Sequence, residues 1–292
     1  MESFLHDLSW VAPWRNDAMT LYFKAATELG YTPFFLLFLP LGYWLWDKSL
    51  FTRMAVLIVV TALVNSFLKD LFQDPRPDPS FALDAERTSM SYGLPSGHAQ
   101  VATAMWLWLA YEVRRWWFWP VALVIVASVC LSRLYLGVHD VEDVLAGVLL
   151  GLATLVVFKA LLADEFQGWR DMNAGLQIAI ILALHPILYL LWPDPKGPGA
   201  VASLGGFLIG WLAGFLLAKH RWNVARHENL LVAVIAAVLG MVGVIAAFLF
   251  LGKQLEAFGL PAMAAQWAQS LVIALYVTLL APLLFRVARL AR

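Results

Sequence analysis

Long apolar runs alternate with short polar connections along the chain, and as helices the runs can cross a hydrocarbon layer about 30 Å thick. They fall at about 29–46, 53–69, 98–113, 117–135, 142–162, 174–192, 200–218, 230–251 and 267–286. This pattern predicts an all-α fold, a polytopic membrane helix bundle of about nine transmembrane helices. Residues 3–28 mix Leu5, Leu8, Trp10, Val11 and Trp14 with charges, and read as an interfacial segment leading into the first span. The expected organisation is an interfacial segment, 1–28, a membrane core, 29–163, that carries three polar motifs, and a four-span membrane extension, 164–292.

Composition agrees. With 62% apolar residues, 14% charged and a mean hydropathy of +0.75, the chain falls in the multi-span membrane class. Basic and acidic residues number 20 each, so no global field draws nucleic acid, and charge has to act through local placement. Cys130 is a single cysteine inside an apolar run; it has no internal disulfide partner or cysteine metal cluster to join and reads as packing. Glu2, His6 and Asp7 stand near the start in place of a basic region and an apolar core, so no cleavable signal peptide is expected.

Orientation follows from Lys and Arg, since positive loops tend to stay cytoplasmic. One set of connections carries Lys48, Arg53, Arg114, Arg115, Lys159, Arg170, Lys219, Arg221, Arg226, Arg286, Arg289 and Arg292. The opposite set holds only Lys69, Arg76, Arg87, Arg133, Lys196 and Lys253. This bias places the C-terminus in the cytoplasm and, for an odd number of spans, the N-terminus outside. Trp44, Trp46, Trp116, Trp117, Trp119, Trp192 and Trp222 stand at predicted span ends, where interfacial indoles belong. The expected location is a plasma (inner) membrane, of bacterial type given the short loops.

The three polar motifs are KDLFQDPRP (69–77), PSGH (95–98) and SRLYLGVHDVED (132–143), and span parity brings all three to the outer face. Lys69 ends a span, and Pro75 and Pro77 bracket Arg76, so the helix stops and the guanidinium is presented from a rigid turn. A flexible point charge and a planar fork suit a phosphate; the competing reading is two cations snorkelling at the interface. Ser96 and Gly97 precede a helix, so Ser96 can cap it while the free first-turn amides form an anion site beside His98. Arg133 closes a span. His139 and Asp143 stand four residues apart, on one face if the region is helical. A carboxylate so placed can fix the imidazole tautomer and raise the nucleophilicity of the distal nitrogen. Asp140 and Glu142 compete by proximity, but their spacing puts them on other faces and they are expected to be solvated.

The order Lys, six residues, Arg-Pro; Pro-Ser-Gly-His; Ser-Arg, five residues, His, three residues, Asp resembles the signature of the type 2 phosphatidic acid phosphatase superfamily, in its integral-membrane branch. The resemblance covers roughly residues 29–160. It implies that His139 attacks phosphorus and carries a transient phosphohistidine, that Asp143 holds its ring, and that His98 protonates the leaving oxygen. It also implies that Lys69, Arg76, Arg133, Ser96 and the Gly97 amide bind the phosphoryl oxygens. No metal or cofactor is needed in that scheme, and no carboxylate cluster in the sequence suggests one.

A site at the outer end of a helix bundle can receive a head group while the lipid tail stays in the bilayer, which favours lipid phosphates as substrate. Family members of this kind act on undecaprenyl diphosphate, phosphatidylglycerol phosphate, phosphatidate or lysolipid phosphates. The stretch LSRLYLGVHDVEDVLAGVLLG and the nine-span layout are also similar to glucose-6-phosphatase and sphingosine-1-phosphate phosphatase. Asp143 occupies the aspartate position of the lipid branches, which weakens the soluble-sugar alternative. A reading of another class is a transporter or scaffold that keeps the phosphate site. Its support is the C-terminal module, where Gly206, Gly210 and Gly214 recur every four residues, Gly240 and Gly243 follow, and His185-Pro186 interrupts a span. Small residues at that spacing permit close helix packing or a homodimer through these spans. His185, ionisable within a span, is a functional candidate or a kink-lining residue.

Overall fold

The computed structural model describes residues 5–87, 91–162, 172–193, 199–221 and 224–291. Arg170, Lys196, Trp222 and Arg292 of the charge and tryptophan pattern lie outside them. Apart from one isolated bridge between Arg226 and Ala291, the regular structure among the described residues is helical. The helices are α1 (Asp17–Glu28), α2 (Thr32–Leu45), α3 (Lys48–Phe72), α4 (Gly97–Val113), α5 (Phe118–Tyr135), α6 (Val141–Leu161), α7 (Ala174–Leu190), α8 (Gly199–Arg221), α9 (Leu230–Ala257) and α10 (Ala262–Val287). Among the described residues six of them, α3, α5, α6, α8, α9 and α10, are long and apolar enough to cross a membrane, so the chain is a multi-pass membrane protein. The other apolar segments are shorter: α2 and α7, and α4 with 17 residues. The nine full spans expected from hydropathy are thus not all matched.

Several helix starts are written locally. Asn16 accepts the Met19 amide at 3.0 Å, Asp140 the Asp143 amide at 3.0 Å, Asn173 the Leu176 amide at 2.8 Å and Asn229 the Leu231 amide at 2.9 Å. Each side chain satisfies an amide that the first helical turn cannot.

The chain divides into two compact units, Met1–Phe35 with Val60–Ala163, and Leu36–Val59 with Asp164–Arg292. In the first, α4 packs on both α5 and α6, and α1 on α5. Gly147 and Gly151 of α6 let that helix ride directly on the α4 backbone. A Cβ at Gly147 would stand 2.6 Å from the Ser96 carbonyl oxygen, and one at Gly151 2.7 Å from that of Gln100. At the far end of the pair, Trp108 and Phe158 meet edge to face, 5.1 Å between centroids. The N-terminal segment folds back onto this unit. Leu8 and Val11 are buried in one cluster with Leu134, Leu136 and Val138, and Cys130 packs against it.

In the second unit the glycine stripe of α8 faces the chain's own α10. A Cβ at Gly206 or Gly210 would overlap the backbone at Trp267 or Leu271, and one at Gly214 the Thr278 side chain. The stripe therefore serves packing within the chain. Both α9 and α10 contain a π-helical turn, Ala247–Leu251 and Tyr276–Leu280. Such a turn breaks the regular bonding ladder, and Gln269 donates to the carbonyls of Ala247 (3.0 Å) and Phe248 (2.7 Å) beside the first of them. Trp44 departs from its expected interfacial place. It is buried, donates to the Val277 carbonyl at 2.8 Å and packs on Phe285, whereas Trp46, Trp116, Trp117 and Trp119 are exposed. His185 lies against Gly205 and lines an apolar cavity of about 630 Å³ with Pro186, Tyr189, Ala202, Met263 and Trp267.

The contact between α4 and α6 is testable. Gly147→Ala gains about 1 kcal/mol of helix propensity but drives a methyl into the Ser96 backbone at a cost of about 1–3 kcal/mol, so it should destabilise the protein by up to about 2 kcal/mol net. Gly199→Ala, with nothing within 4 Å of the added methyl, serves as the control. The readout is the thermal unfolding midpoint in detergent, lowered in the first variant and not in the second.

Candidate active site

Lys69 lies one helical turn before the end of α3, and beyond it Gln73, at φ 51°, turns the chain toward Pro75 and Arg76. Neither cation snorkels. The Lys69 ammonium is buried and donates to the carbonyls of Gly93, at 2.7 Å, and Tyr92. Arg76 donates from Nε to the Ser91 carbonyl (2.7 Å), from Nη2 to Ser91 Oγ (2.8 Å) and from Nη1 to the Val138 carbonyl (2.6 Å). The first motif thus ties the connector before PSGH to α3 and to the turn before α6.

The second motif is held from below by Asn65, one turn ahead of Lys69. Asn65 Nδ2 donates to the Pro95 carbonyl at 3.1 Å and to Gln100 Oε1 at 2.9 Å. Ser96 occupies the N-cap position of α4, yet its hydroxyl makes no capping bond, contrary to expectation. The loop is fixed instead through its backbone, the Ser96 amide donating to the Asp143 carbonyl at 2.9 Å. Its fully buried Oγ is left without a protein partner among the described residues. His98 follows on the first turn, its Nε2 likewise unpartnered. Its ring meets Tyr31 edge on, 4.5 Å between centroids, and Gly30 leaves the space it occupies.

The third motif supplies the most deeply buried groups. Arg133 is 0% exposed; its Nη1 donates to Thr27 Oγ1, while Nε and Nη2 have no protein acceptor among the described residues. His139 lies in the turn before α6, not on the helix. Asp140 is the N-cap and Asp143 the third helical residue, and the two close a reciprocal capping box. That box swings the Asp143 carboxylate back, so that Oδ2 stands 2.8 Å from His139 Nδ1. Asp140 is therefore buried and structural, not solvated as the sequence suggested.

The tautomer follows from the partners. Arg76 Nη1 stands 3.1 Å from His139 Nε2, and a guanidinium can only donate. Nε2 must then present its lone pair, and Nδ1 carries the proton that Asp143 accepts. Burial first, then the cations Lys69, Arg76 and Arg133, and His98, push the His139 imidazole well below its usual 6.5, so the ring stays neutral. Burial, and then Arg133, pull Arg76 down to about 10, with Asp143 and Tyr31 opposing, which leaves it charged at neutral pH. His98 stands within electrostatic reach of Arg133, Arg76 and Lys69. The three segments, 69–76, 96–98 and 133–143, are thus brought to one place.

Residues the sequence analysis left unassigned complete the surroundings. Thr27 meets Arg133, Tyr31 meets His98 and donates to Asp84 Oδ2 at 3.0 Å, and Ser91 receives Arg76. Asn65 carried a signal, an amide inside an apolar span four residues before Lys69. Thr27, 106 residues from its partner, carried none.

Residues 50–167 match the model of the PAP2 superfamily, and residues 202–292 that of the PAP2 superfamily phosphatase transmembrane extension. Sphingosine-1-phosphate phosphatase 2 of Mus musculus is 36% identical over 52% of this chain and 43% of its own length. Sphingosine-1-phosphate phosphatase 1 of the same organism is 31% identical over 69% and 50%. Phosphatidylglycerophosphatase B of Bacillus subtilis (strain 168) is 32% identical over 50% of this chain and 75% of its own. A crystal structure described as a transmembrane PAP2 type phosphatidylglycerolphosphate phosphatase from Bacillus subtilis has a TM-score of 0.46 at 26% identity, over 52% of this chain and 81% of that one. The chain spans about half the length of the sphingosine-1-phosphate phosphatases it matches. With a relative at 32% identity matched over 75% of its length, and PAP2 models on both sides of the 168–201 stretch, the chain belongs to the PAP2 superfamily.

Proposed function

We propose that the protein is a metal-independent membrane phosphatase that hydrolyses a lipid phosphate or diphosphate at the outer membrane face, through a phosphohistidine on His139. One observation carries the reading: the His139 imidazole is held by Asp143 at Nδ1 and by Arg76 at Nε2, in the same unit as the unpartnered donors Ser96 Oγ and Arg133 Nε and Nη2. A nucleophile and donors for phosphoryl oxygens are what in-line transfer requires.

The Nε2 lone pair attacks phosphorus as the bond from phosphorus to the lipid oxygen breaks, and that oxygen takes a proton from His98, which enters the step as the imidazolium once the negative charge of the bound phosphate offsets the nearby cations. Arg76 Nη1 releases Nε2 when phosphorus arrives and passes to a phosphoryl oxygen beside it. Arg133, Ser96, Lys69 and the Gly97 amide hold the remaining charge. Water then attacks the phosphohistidine and gives its proton to His98; the P–N bond breaks, and inorganic phosphate and free His139 result. For a diphosphate the bond that breaks is the bridging P–O, and the lipid monophosphate leaves.

The relatives' names include sphingosine-1-phosphate phosphatase and phosphatidylglycerophosphatase, which supports a lipid carrier for the phosphate. The Lys and Arg bias supports an extracytoplasmic site with the C-terminus inside a bacterial plasma membrane. The test is phosphate release by detergent-solubilised protein from sphingosine 1-phosphate, phosphatidylglycerol phosphate, phosphatidate, undecaprenyl diphosphate and glucose 6-phosphate. Turnover confined to the lipids is expected; turnover of glucose 6-phosphate alone, or substrate uptake that survives loss of both histidines, would overturn the proposal.

Substitution should separate the two histidines. His139→Ala should lower turnover by roughly 10³-fold or more and abolish acid-labile labelling from a radioactive substrate. His98→Ala should cost roughly 10²–10⁴-fold, and a chelator should cost nothing. Chelator-sensitive turnover, or labelling that persists without His139, would contradict the mechanism.

The pH profile gives a further check. Attack needs neutral His139, whose pKa is held well below 6.5, so protonation silences it only at acid pH. In kcat/KM, which reports the free enzyme, the acid limb should lie clearly under pH 6.5. A limb at or above that value would mean that burial does not hold the ring neutral.

A further inference from the structure

We propose that His6 is a positioning residue: by holding Asp140 at the start of α6 it sets Asp143 against His139, and so makes turnover depend on its own protonation. The proposal rests on the reading of His139 as nucleophile. The connection is a short chain of contacts within one unit. His6 Nδ1 lies 2.6 Å from Asp140 Oδ2, and the Val141 amide donates to the Leu5 carbonyl at 3.0 Å. Asp140 Oδ1 accepts the Asp143 amide at 3.0 Å, and the Asp140 amide points to Asp143 Oδ2 at 3.4 Å. That same Oδ2 accepts His139 Nδ1–H. Each oxygen of the buried Asp140 thus has one purpose, Oδ1 toward the helix and Oδ2 toward the N-terminal segment.

Without His6, Asp140 Oδ2 loses the donor that fixes the carboxylate's rotation, and the capping box that turns Asp143 toward His139 loosens with it. The clamp is also charge-dependent. His6 Nε2 faces Glu142 Oε2 at 3.3 Å, so both ring nitrogens address carboxylates, and only the imidazolium has two N–H groups. The groups acting on it are Asp140, Glu142 and Asp74, all acidic. The Asp140 hydrogen bond, then its charge, raise the His6 pKa above 6.5, against desolvation. With a raised folded pKa, the clamp is complete below that value and falls back to a single uncharged donor as pH rises through it.

The experiment is kcat and KM against pH for the full-length wild type, His6→Ala, His6→Gln and Glu142→Gln in one detergent. Wild-type kcat should fall by roughly three- to tenfold as pH rises past the His6 pKa, with KM little changed, since a slight misplacement of the nucleophile costs rate. His6→Ala should lie below the wild-type alkaline plateau at every pH, since neutral His6 still keeps one N–H for Asp140. His6→Gln, which keeps one donor but cannot titrate, should be pH-independent in this range and faster than His6→Ala. Glu142→Gln should move the step to lower pH. A step that persists unchanged in His6→Gln, or a change confined to KM, overturns the proposal. Should His6→Ala not fold, the comparison of wild type with His6→Gln decides alone. Absence of wild-type phosphate release, or activity left in His139→Ala, would instead sink the reading of the site itself.

Discussion

The rest of the structure depends on a surplus of buried positive charge. Lys69 and Arg133 are buried and Arg76 partly so, within electrostatic reach of His98 and His139, while one carboxylate, Asp143, touches His139. A buried charge is costly unless it is paired and hydrogen-bonded. Lys69 and Arg76 meet that cost with main-chain carbonyls and Ser91, and these same bonds define the connector at 91–93. Arg133 does not meet it, since Nε and Nη2 have no protein acceptor among the described residues. Together with Ser96 Oγ, those nitrogens are unused donors beside cationic groups, the complement of an oxyanion with several acceptor oxygens.

Holding this cluster in place is the task of packing that contains no charge. Gly147 and Gly151 bring α6 onto the backbone of α4, and the Ser96 amide joins the Asp143 carbonyl across the same contact. Ser96, proposed to face phosphate, and Asp143, which meets His139, are therefore fixed by one helix pair. Asn65 performs the corresponding service for α3 by reaching Pro95 and Gln100. The two carboxylates at the start of α6 then divide their labour. Asp140 organises the turn, and Asp143, turned back by it, meets the imidazole.

How much of this was legible in the sequence differs by kind of interaction. Helical membrane architecture could be read because hydropathy is local and additive; six of the helices among the described residues have the length of a full crossing, while α2, α4 and α7 are shorter. The grouping of Lys69, Arg76, Ser96, His98, Arg133, His139 and Asp143 could be read because their motifs have fixed spacing. Solvation could not. Asp140 looked like a spectator because spacing alone tells which face a residue occupies, whereas a capping box and a partner 134 residues away decide its burial. The partners of Trp44 and of the α8 glycines on α10 are likewise far along the chain, so spacing allowed close packing of the glycines without naming what they pack against.

The N-terminal segment makes the point most fully, because a reading that starts at the first motif omits it. Thr27 Oγ1 is the acceptor for Arg133 Nη1, and Asn16 and Thr20 meet the Tyr135 hydroxyl. Arg15 donates to the carbonyls of Phe81 and Tyr135, both at 2.9 Å, and Leu8 and Val11 fill the apolar cluster beside them. A chain beginning at residue 29 would leave the Arg133, Tyr135 and Asp140 groups short of partners, and each buried unmet group costs about 1–3 kcal/mol. Those costs fall on the turn that carries His139 and on the guanidinium proposed to bind phosphate. The segment is thus part of the site's construction, and its contacts are long-range ones that helix propensity and motif spacing cannot encode.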